Sequence, residues 1–144
     1  MQVFGFDISE KMIEIATRKV PLGVFKTMDL REVSSLSGMF DAVCMRAVLL
    51  HVPKTDALGV VLDITKKLKK GGYFYMTVKE MRQGGVAEEV KIEDDYGYPY
   101  QRFFSYFTQE EVEECFRRAR LEVIFKTLTP AGKTNWIQII GHKS

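Results

Sequence analysis

Two aspartates each lie at the end of a short apolar run. Asp7 ends a strand-like segment at residues 2–8, and Asp29 follows the next one, residues 24–28. Ligands of open α/β sheets bind outside the carboxyl ends of the strands. A carboxylate there can accept both hydroxyl groups of a ribose, and a second one beside the Leu30 amide can meet the edge of adenine. The pair therefore predicts a cofactor that contains adenosine.

Asp7 taken alone is equally explained as an acid that favours the positive end of the following helix. The second acid changes the balance, because dinucleotide-binding enzymes have no general need for a carboxylate at the adenine position. Asp7 and Asp29 together favour S-adenosylmethionine over NAD. Arg46, Lys79 and Glu80 lie at or just beyond the ends of two later apolar runs, so the same strand-end rule makes them positions to inspect.

Alternating apolar runs and helical periodicities predict an α/β fold with a mostly parallel sheet. Ser9 is a predicted N-cap for a first helix. Apolar positions recur at helical intervals over residues 56–70, and Gly71 is expected to end that helix after a last turn crowded with lysines. Thr108 and Glu111 have the spacing of a capping box for a third helix.

The remaining apolar runs predict strands, and one segment interrupts the pattern. Residues 40–45 are nearly all apolar, as expected for a strand covered on both faces. Residues 121–126 and 136–141 predict a hairpin at the antiparallel C-terminal edge of the sheet. Residues 81–101 show no apolar periodicity, and a structureless insert of this length is typical of a lid, a binding loop or a disordered segment.

Composition indicates that residues 1–144 form one globular domain. Hydrophobic residues make up 46% and charged residues 28% of the chain, and the formal net charge is +2. Because basic and acidic residues are nearly equal in number, the composition gives no indication of a positively charged surface for nucleic acid or a membrane. No apolar stretch approaches the ~18 residues of a membrane span, and no charged leader precedes an apolar run, so we expect a cytoplasmic protein.

The cysteine and histidine content predicts no metal centre. Cys44 and Cys115 are interpreted as reduced, buried packing residues of a cytosolic protein. The two histidines are His51 and His142, and with the cysteines they form no cluster at the spacing of a zinc site.

Several segments, taken in order, resemble those of class I S-adenosylmethionine-dependent methyltransferases of the small bacterial and archaeal type. They are residues 5–12 (GFDISEKM), 28–30 (MDL), 40–43 (FDAV) with 49–53 (LLHVP), 68–74 (LKKGGYF) and 102–108 (RFFSYFT). Each match is loose, but together they extend over nearly the whole chain. The resemblance implies a Rossmann-like, doubly wound sheet, S-adenosylmethionine as cofactor and a small-molecule methyl acceptor.

On the cofactor side, the resemblance implies roles for six residues. They are Asp7, Ile8, Asp29, Leu30, Arg46 and Ala47. The first two would hold the ribose hydroxyls and pack against the adenosine. The next two would recognise adenine, and the last two would line the methionine end and the methyl group.

On the acceptor side, resemblance and position single out five residues. His51 and Glu80 are the candidate bases if the acceptor must lose a proton, and Lys79, Arg102 and Tyr106 would face the substrate. His51 is equally explained as a residue that packs or caps the start of a helix, and the other three as structural polar residues. Methyl transfer from a sulfonium is governed by proximity and alignment, so it requires no particular catalytic side chain.

One feature of the family is not found. No G-x-G-x-G follows a first strand, because the chain begins where the family's second strand begins. The family's strand order would leave a gap of roughly 10 Å between the strands of Phe6 and Val43. Direct pairing of those strands, a second copy of the chain or a complementing chain would close it. We therefore expect oligomerisation, with a truncated reading frame as the alternative.

Two further interpretations stay open beside an active methyltransferase. The chain could be a non-catalytic, methyltransferase-like partner or regulatory module that has lost cofactor binding. It could also be an NAD-binding fragment, although the position of Asp29 argues against this. Binding of S-adenosylmethionine separates an enzyme from a non-catalytic module.

Overall fold

The first of two compact units, Met1–Ser37, contains two strands that flank a helix. In the computed structural model, which describes residues 1–144, its elements are strand β1 (Phe4–Asp7), helix α1 (Glu10–Lys19), strand β2 (Val24–Thr27) and a 3-10 helix (Leu30–Ser35). The predicted strands at residues 2–8 and 24–28 are thereby confirmed within a few residues.

Parallel pairing fixes the register of β1 against β2. The ladder runs from Phe4 opposite Val24 to Asp7 opposite Thr27. Beyond the last pair, the Met28 amide donates a hydrogen bond to the Asp7 carbonyl oxygen at 2.9 Å. The two strands therefore end together at one edge of this two-stranded sheet.

The second unit, Gly38–Ser144, contains six strands, two α-helices and a 3-10 helix at Leu49–His51. The strands and α-helices are β3 (Phe40–Arg46), α2 (Lys54–Lys67), β4 (Leu68–Lys79), β5 (Glu88–Glu93), β6 (Tyr100–Ser105), α3 (Gln109–Arg118), β7 (Glu122–Ala131) and β8 (Thr134–His142). Four of the strands form a sheet in the order β3-β4-β8-β7, and β5 and β6 form a separate hairpin.

The pairings confirm the predicted Rossmann-like α/β fold with an antiparallel C-terminal edge. Strand β3 is parallel to β4, whereas β8 is antiparallel to both β4 and β7. The predicted hairpin of residues 121–126 and 136–141 is the β7–β8 pair, with β7 at the edge of the sheet. Together with the parallel β1–β2 pair, the chain thus contains sheets of mixed strand direction.

The core of the second unit joins β4 and β8 to the helices. Phe74 of β4 and Phe116 of α3 are both 0% exposed, and their rings stack at 5.3 Å with 16° between their planes. A Cβ atom added at Gly141 of β8 would lie 2.7 Å from the Phe116 ring. Only glycine therefore allows β8 to pack this closely against the ring.

The second helix ends earlier than the lysine cluster predicts. It stops at Lys67, and the two lysines after Leu68 lie in β4. Strand pairing explains the difference, because Leu68 lies opposite Phe40 and the Gly71 amide donates to the Lys143 carbonyl oxygen at 2.6 Å. Gly71 does adopt a left-handed conformation, with φ of 78°, but it does so inside a strand.

Strand β3 is not covered on both faces, so that prediction is wrong. Met45 is the one buried residue among its seven, and Cys44 is exposed rather than buried. The strand lies at the edge of its sheet and pairs with β4 alone. A run of mostly apolar residues therefore does not by itself indicate burial. Cys115 on α3 is partly buried.

The sequence predicts a structureless segment at residues 81–101, but this segment contains β5 and the first residues of β6. The two strands pair antiparallel along their whole length. The strand pattern is hard to detect because its apolar residues point outward: Val90 is 61% and Ile92 is 74% exposed. Charged residues alternate with them on the other face, which reverses the usual pattern of a half-buried strand.

Both predicted helix starts are confirmed. The Ser9 hydroxyl accepts from the Met12 amide at 3.4 Å. The Thr108 hydroxyl accepts from the Glu111 amide at 3.2 Å, while the Glu111 carboxylate accepts from the Thr108 amide at 2.8 Å, which completes a capping box. None of the helices is both long and apolar enough to cross a membrane.

The capping box makes a prediction about stability. Thr108→Ala removes the acceptor for an amide of the first turn of α3, so we expect the free energy of unfolding to fall by about 1 kcal/mol. Urea denaturation followed by circular dichroism measures it. Thr108→Ser keeps the hydroxyl and should stay close to the wild type; equal stability of all three proteins would contradict a stabilising role for the cap.

Candidate functional site

Asp7 has one carboxylate oxygen without a partner. Its Oδ1 accepts a hydrogen bond from the Ser9 amide at 2.8 Å, which holds the side chain at the turn between β1 and α1. The other oxygen, Oδ2, accepts no hydrogen bond within the chain. Ile8, the residue between them, is 71% exposed. This end of β1 thus offers a negatively charged acceptor next to an open apolar side chain.

Asp29 is held by its own neighbours. Its Oδ1 accepts from the Arg31 amide at 2.8 Å, and the Arg31 guanidinium donates to both carboxylate oxygens at 3.0 and 2.7 Å. The hydrogen bonds from the Arg31 side chain lower the pKa of Asp29 to about 2. The carboxylate is therefore ionised at neutral pH, and a ligand donor would share it with Arg31.

Next to this carboxylate, the Leu30 amide is free to donate. Leu30 is the first residue of the 3-10 helix, where an amide has no acceptor inside the helix, and no other backbone oxygen accepts from it. The Leu30 side chain is buried, which fixes the backbone at this point. An unused N–H beside a carboxylate is the donor–acceptor combination that the edge of an adenine requires.

A strained residue follows β3. Ala47 has φ of 55°, a left-handed conformation that costs a residue with a Cβ atom about 1–2 kcal/mol. Its amide donates to both the carbonyl oxygen of Thr77, at 3.2 Å, and the Thr77 hydroxyl, at 2.9 Å, and these bonds hold the turn. Arg46, just before it, is exposed. Strain of this kind is typical of ligand-binding loops.

Three of the residues predicted on the acceptor side lie around the ring of Phe104, which is 2% exposed. The His51 ring lies 5.0 Å from it, the Lys79 ammonium nitrogen 4.3 Å and the Tyr106 ring 6.2 Å. Lys91 adds a second ammonium group at 5.9 Å. These five residues form the Phe104 cluster.

His51 is neutral at physiological pH, and one of its ring nitrogens is available. Nδ1 lies 2.8 Å from the Phe103 carbonyl oxygen, and because a carbonyl can only accept, Nδ1 carries the proton. Desolvation lowers the pKa of His51 below 6.5, and the nearby charges of Arg102 and Lys79 act in the same direction. Nε2 therefore keeps its lone pair, as a general base requires.

A cleft of about 130 Å³ adjoins the Phe104 cluster. The charged and aromatic residues that line it are Lys79, Glu80, Arg82, Glu89, Lys91 and Tyr106. Lys79 ends β4 and Glu80 follows it, while Tyr106 directly follows β6, so the fold brings together three residues that the sequence places on the acceptor side. Glu80 is hydrogen-bonded by the Asn135 amide nitrogen at 2.9 Å.

The structure places Arg102 outside the lining of this cleft. Its guanidinium pairs with Glu93 at 2.8 Å and lies over the rings of Tyr96 and Tyr100, at 5.8 and 5.0 Å. All of these partners belong to the β5–β6 hairpin and its turn. The contacts therefore give Arg102 a structural part in the hairpin.

Sequence reasoning missed four residues around the cleft: Phe104, Glu89, Lys91 and Trp136. A signal for two of them exists, because charged residues at every second position of 89–93 follow the period of a strand. Trp136 lies directly opposite Lys79 in the β4–β8 ladder, and its ring is 5.8 Å from the ammonium nitrogen. Nothing in the sequence pattern indicates that cross-strand pair. No group of three or more His, Cys, Asp or Glu residues is placed to hold a metal ion.

Comparison with known families identifies the class of protein. Residues 1–125 match the family model described as "Methyltransferase domain", and because the match covers most of the chain, the protein belongs to this family. No curated protein is significantly similar to the chain. The match confirms the predicted resemblance to methyltransferases.

Solved structures share its fold. A SAM-dependent methyltransferase of Methanosarcina mazei superposes with a TM-score of 0.77 at 19% identity, covering 99% of this chain and 82% of that one. The 1,6-didemethyltoxoflavin-N1-methyltransferase of Burkholderia thailandensis gives 0.74 at 21%, with 99% and 61% covered. Magnesium protoporphyrin IX methyltransferase of Synechocystis PCC 6803 gives 0.72 at 17%, with 99% and 60% covered. The chain thus spans about 60% of the length of the last two.

The environment of His51 predicts its titration. The folded-state pKa lies below 6.5, so the stability that its neutral form contributes is complete above pH 6.5 and is lost as pH falls through the lowered value. An NMR titration of the ring protons should give a midpoint below 6.5. Phe104→Ala removes the ring that shields one side of His51 and should raise the midpoint; a wild-type midpoint at or above 6.5 would overturn the lowered pKa.

Proposed function

We propose that the chain transfers a methyl group from S-adenosylmethionine to a small-molecule acceptor, with the first unit holding the adenosine. The observation that carries this proposal is the shared end of β1 and β2, where Asp7 keeps an unused Oδ2 and Leu30 an unused amide. A structural acid at a helix start needs no second oxygen left open. An adenosine, with two ribose hydroxyls and a hydrogen-bonding ring edge, uses both features.

The residues present fit the cofactor in the following way. Asp7 would accept the ribose hydroxyls and Ile8 would pack against the adenosine. Leu30 would donate to the adenine ring, while Asp29 would accept from its amino group on oxygens that Arg31 also contacts. When bound, the cofactor supplies an electrophilic methyl group on a sulfonium, and these residues position it.

Arg46 and Ala47 are proposed to line the methionine end of the cofactor. The family resemblance supports this role, and the left-handed turn at Ala47 supports a specialised loop. The turn directs the Ala47 amide to Thr77, so its carbonyl and the short side chain are the parts left to contact a ligand.

For an acceptor that must lose a proton, His51 is the better-supported base. Its Nε2 carries a lone pair, and the pKa below 6.5 keeps it unprotonated at neutral pH. Glu80 is the second candidate, with its Oε2 already accepting from Asn135. Lys79 and Tyr106 would bind the acceptor in the cleft that they line, whereas Arg102 would act through the hairpin.

Two observations support a small molecule as the acceptor. The cleft of about 130 Å³ is large enough to hold a chemical group of a small molecule. Two proteins of the same fold are methyltransferases of 1,6-didemethyltoxoflavin and of magnesium protoporphyrin IX by name. The near-neutral net charge of +2 gives no support for nucleic acid as a partner.

Unpaired strand edges predict a partner chain. Strands β1 and β3 each pair on one side only, and exposed N–H and C=O groups of such edges favour the addition of another strand. A second copy or a complementing chain is proposed to supply it. Light scattering should therefore give a mass above the 16.6 kDa of one chain; a folded monomer at all concentrations would contradict self-association.

The ribose role of Asp7 is tested by calorimetric titration with S-adenosylmethionine. Asp7→Ala should weaken binding at least about tenfold, which corresponds to about 1.4 kcal/mol. Asp7→Asn should do the same while keeping an acceptor for the Ser9 amide, so it separates ligand binding from the local turn. Glu14→Gln removes a negative charge from an exposed position of α1 and should bind like the wild type.

Two outcomes would count against the proposal. Unchanged affinity of both Asp7 variants would remove the ribose role of that residue. Wild-type protein that shows no binding heat at millimolar S-adenosylmethionine would favour the non-catalytic module instead.

A further inference from the structure

Lys79 differs from the other charged residues of the cleft in its lack of a polar partner. Glu80 accepts from Asn135, Arg82 donates to the Lys133 carbonyl oxygen, and Glu89 accepts from Tyr106 at 2.7 Å and pairs with Lys91 at 3.2 Å. The Lys79 ammonium group forms no hydrogen bond and no ion pair. Its contacts are the faces of two rings, Phe104 at 4.3 Å and Trp136 at 5.8 Å.

This arrangement leaves a cation poorly solvated next to an open cleft. Lys79 is only partly exposed, and desolvation lowers its pKa from the ordinary 10.5. The carboxylates of Glu93 and Glu89 act on it from a distance but do not pair with it. Ring faces attract a cation weakly compared with a hydrogen-bonded anion. The ammonium group therefore has an unused capacity to bind a negative charge.

We propose that Lys79 binds a carboxylate group of the methyl acceptor in this cleft, an assignment that rests on the proposed function and adds the chemical class of the substrate. One water molecule needs only ~10–15 Å³ of such space, so the cleft of about 130 Å³ can admit a much larger group. It can therefore admit a carboxylate together with part of the group that bears it.

The charges around the cleft select a monoanion. Three cations and two carboxylates line it, and every cation except Lys79 already has a partner. The Lys79 ammonium group can therefore balance one negative charge of a bound ligand. A phosphate dianion would carry a second charge toward Glu80 and Glu89, where it would be repelled. The Tyr106 ring, which lines the cleft, favours an acceptor in which the carboxylate is attached to a flat, apolar group.

Benzoate is the probe for this site, because it joins a carboxylate to a flat ring. Titration of nitrogen-15-labelled protein, without cofactor, should shift the amide signals of residues 79 and 106 in a saturable way. Benzamide has nearly the same shape without the charge and should bind at least about tenfold more weakly. Phenyl phosphate should bind no more tightly than benzoate.

The matched variants are Lys79→Met and Lys70→Met. The first removes the charge in the cleft, and the second removes an exposed lysine from the other end of the same strand. Lys79→Met should weaken benzoate binding at least about tenfold, and Lys70→Met should leave it unchanged. If Lys79→Met does not fold, Lys79→Gln provides the same comparison with a polar side chain.

Equal binding of benzoate and benzamide, or unchanged benzoate binding by Lys79→Met, would overturn the assignment, as would tighter binding of phenyl phosphate. Titration of the same variants with S-adenosylmethionine keeps this test separate from that of the proposed function. Lost benzoate binding with normal cofactor binding in Lys79→Met supports the carboxylate subsite. Wild-type protein that binds cofactor but not benzoate contradicts the subsite alone.

Discussion

The parallel register of β1 and β2 is the constraint on which the proposed cofactor site depends. Because the Met28 amide bonds to the Asp7 carbonyl, the chain leaves both strands at the same level. A shift of one residue would turn one of the two acids to the other face of the sheet. Two local devices then hold the acids themselves: Ser9 fixes one oxygen of Asp7, and Arg31 fixes Asp29. After these bonds, one carboxylate oxygen of Asp7 and the Leu30 amide remain unused, and these are the groups proposed to contact the adenosine.

Strand β4 plays the corresponding part in the second unit. Phe74, Met76 and Val78 are buried in the core at every second position, and Lys79 is the first residue to reach the surface at the end of the strand. Pairing with β8 puts Trp136 beside it, and β6 puts Phe104 under it. The packed strand therefore brings a cation to an aromatic, partly dry surface, where it is more sensitive to a bound anion than a fully solvated lysine would be.

The sequence predicts the features of this protein that depend on interactions between neighbouring residues. It misses those that depend on contacts between distant segments of the chain. Helix caps at Ser9 and Thr108 are set within four residues, so their patterns suffice. The sequence predicts a later end for α2 than the structure shows, because the pairing of Leu68 with Phe40 is a long-range contact. The sequence does not predict the β5–β6 hairpin, because the charged face of β5 lies toward the cleft and its apolar face is exposed to solvent. Phe104 and Trp136 contact Lys79 through tertiary packing, which the spacing of residues in the sequence does not predict.

Amide shift mapping tests whether adenosine is held at the shared end of β1 and β2. Nitrogen-15-labelled protein would be titrated with S-adenosylhomocysteine, which presents the same adenosine. The Ser9 amide reports on the Asp7 carboxylate and the Leu30 amide on the adenine edge. We expect these two signals to move most among residues 1–37 and to saturate together. Saturable binding that leaves both signals in place would contradict it.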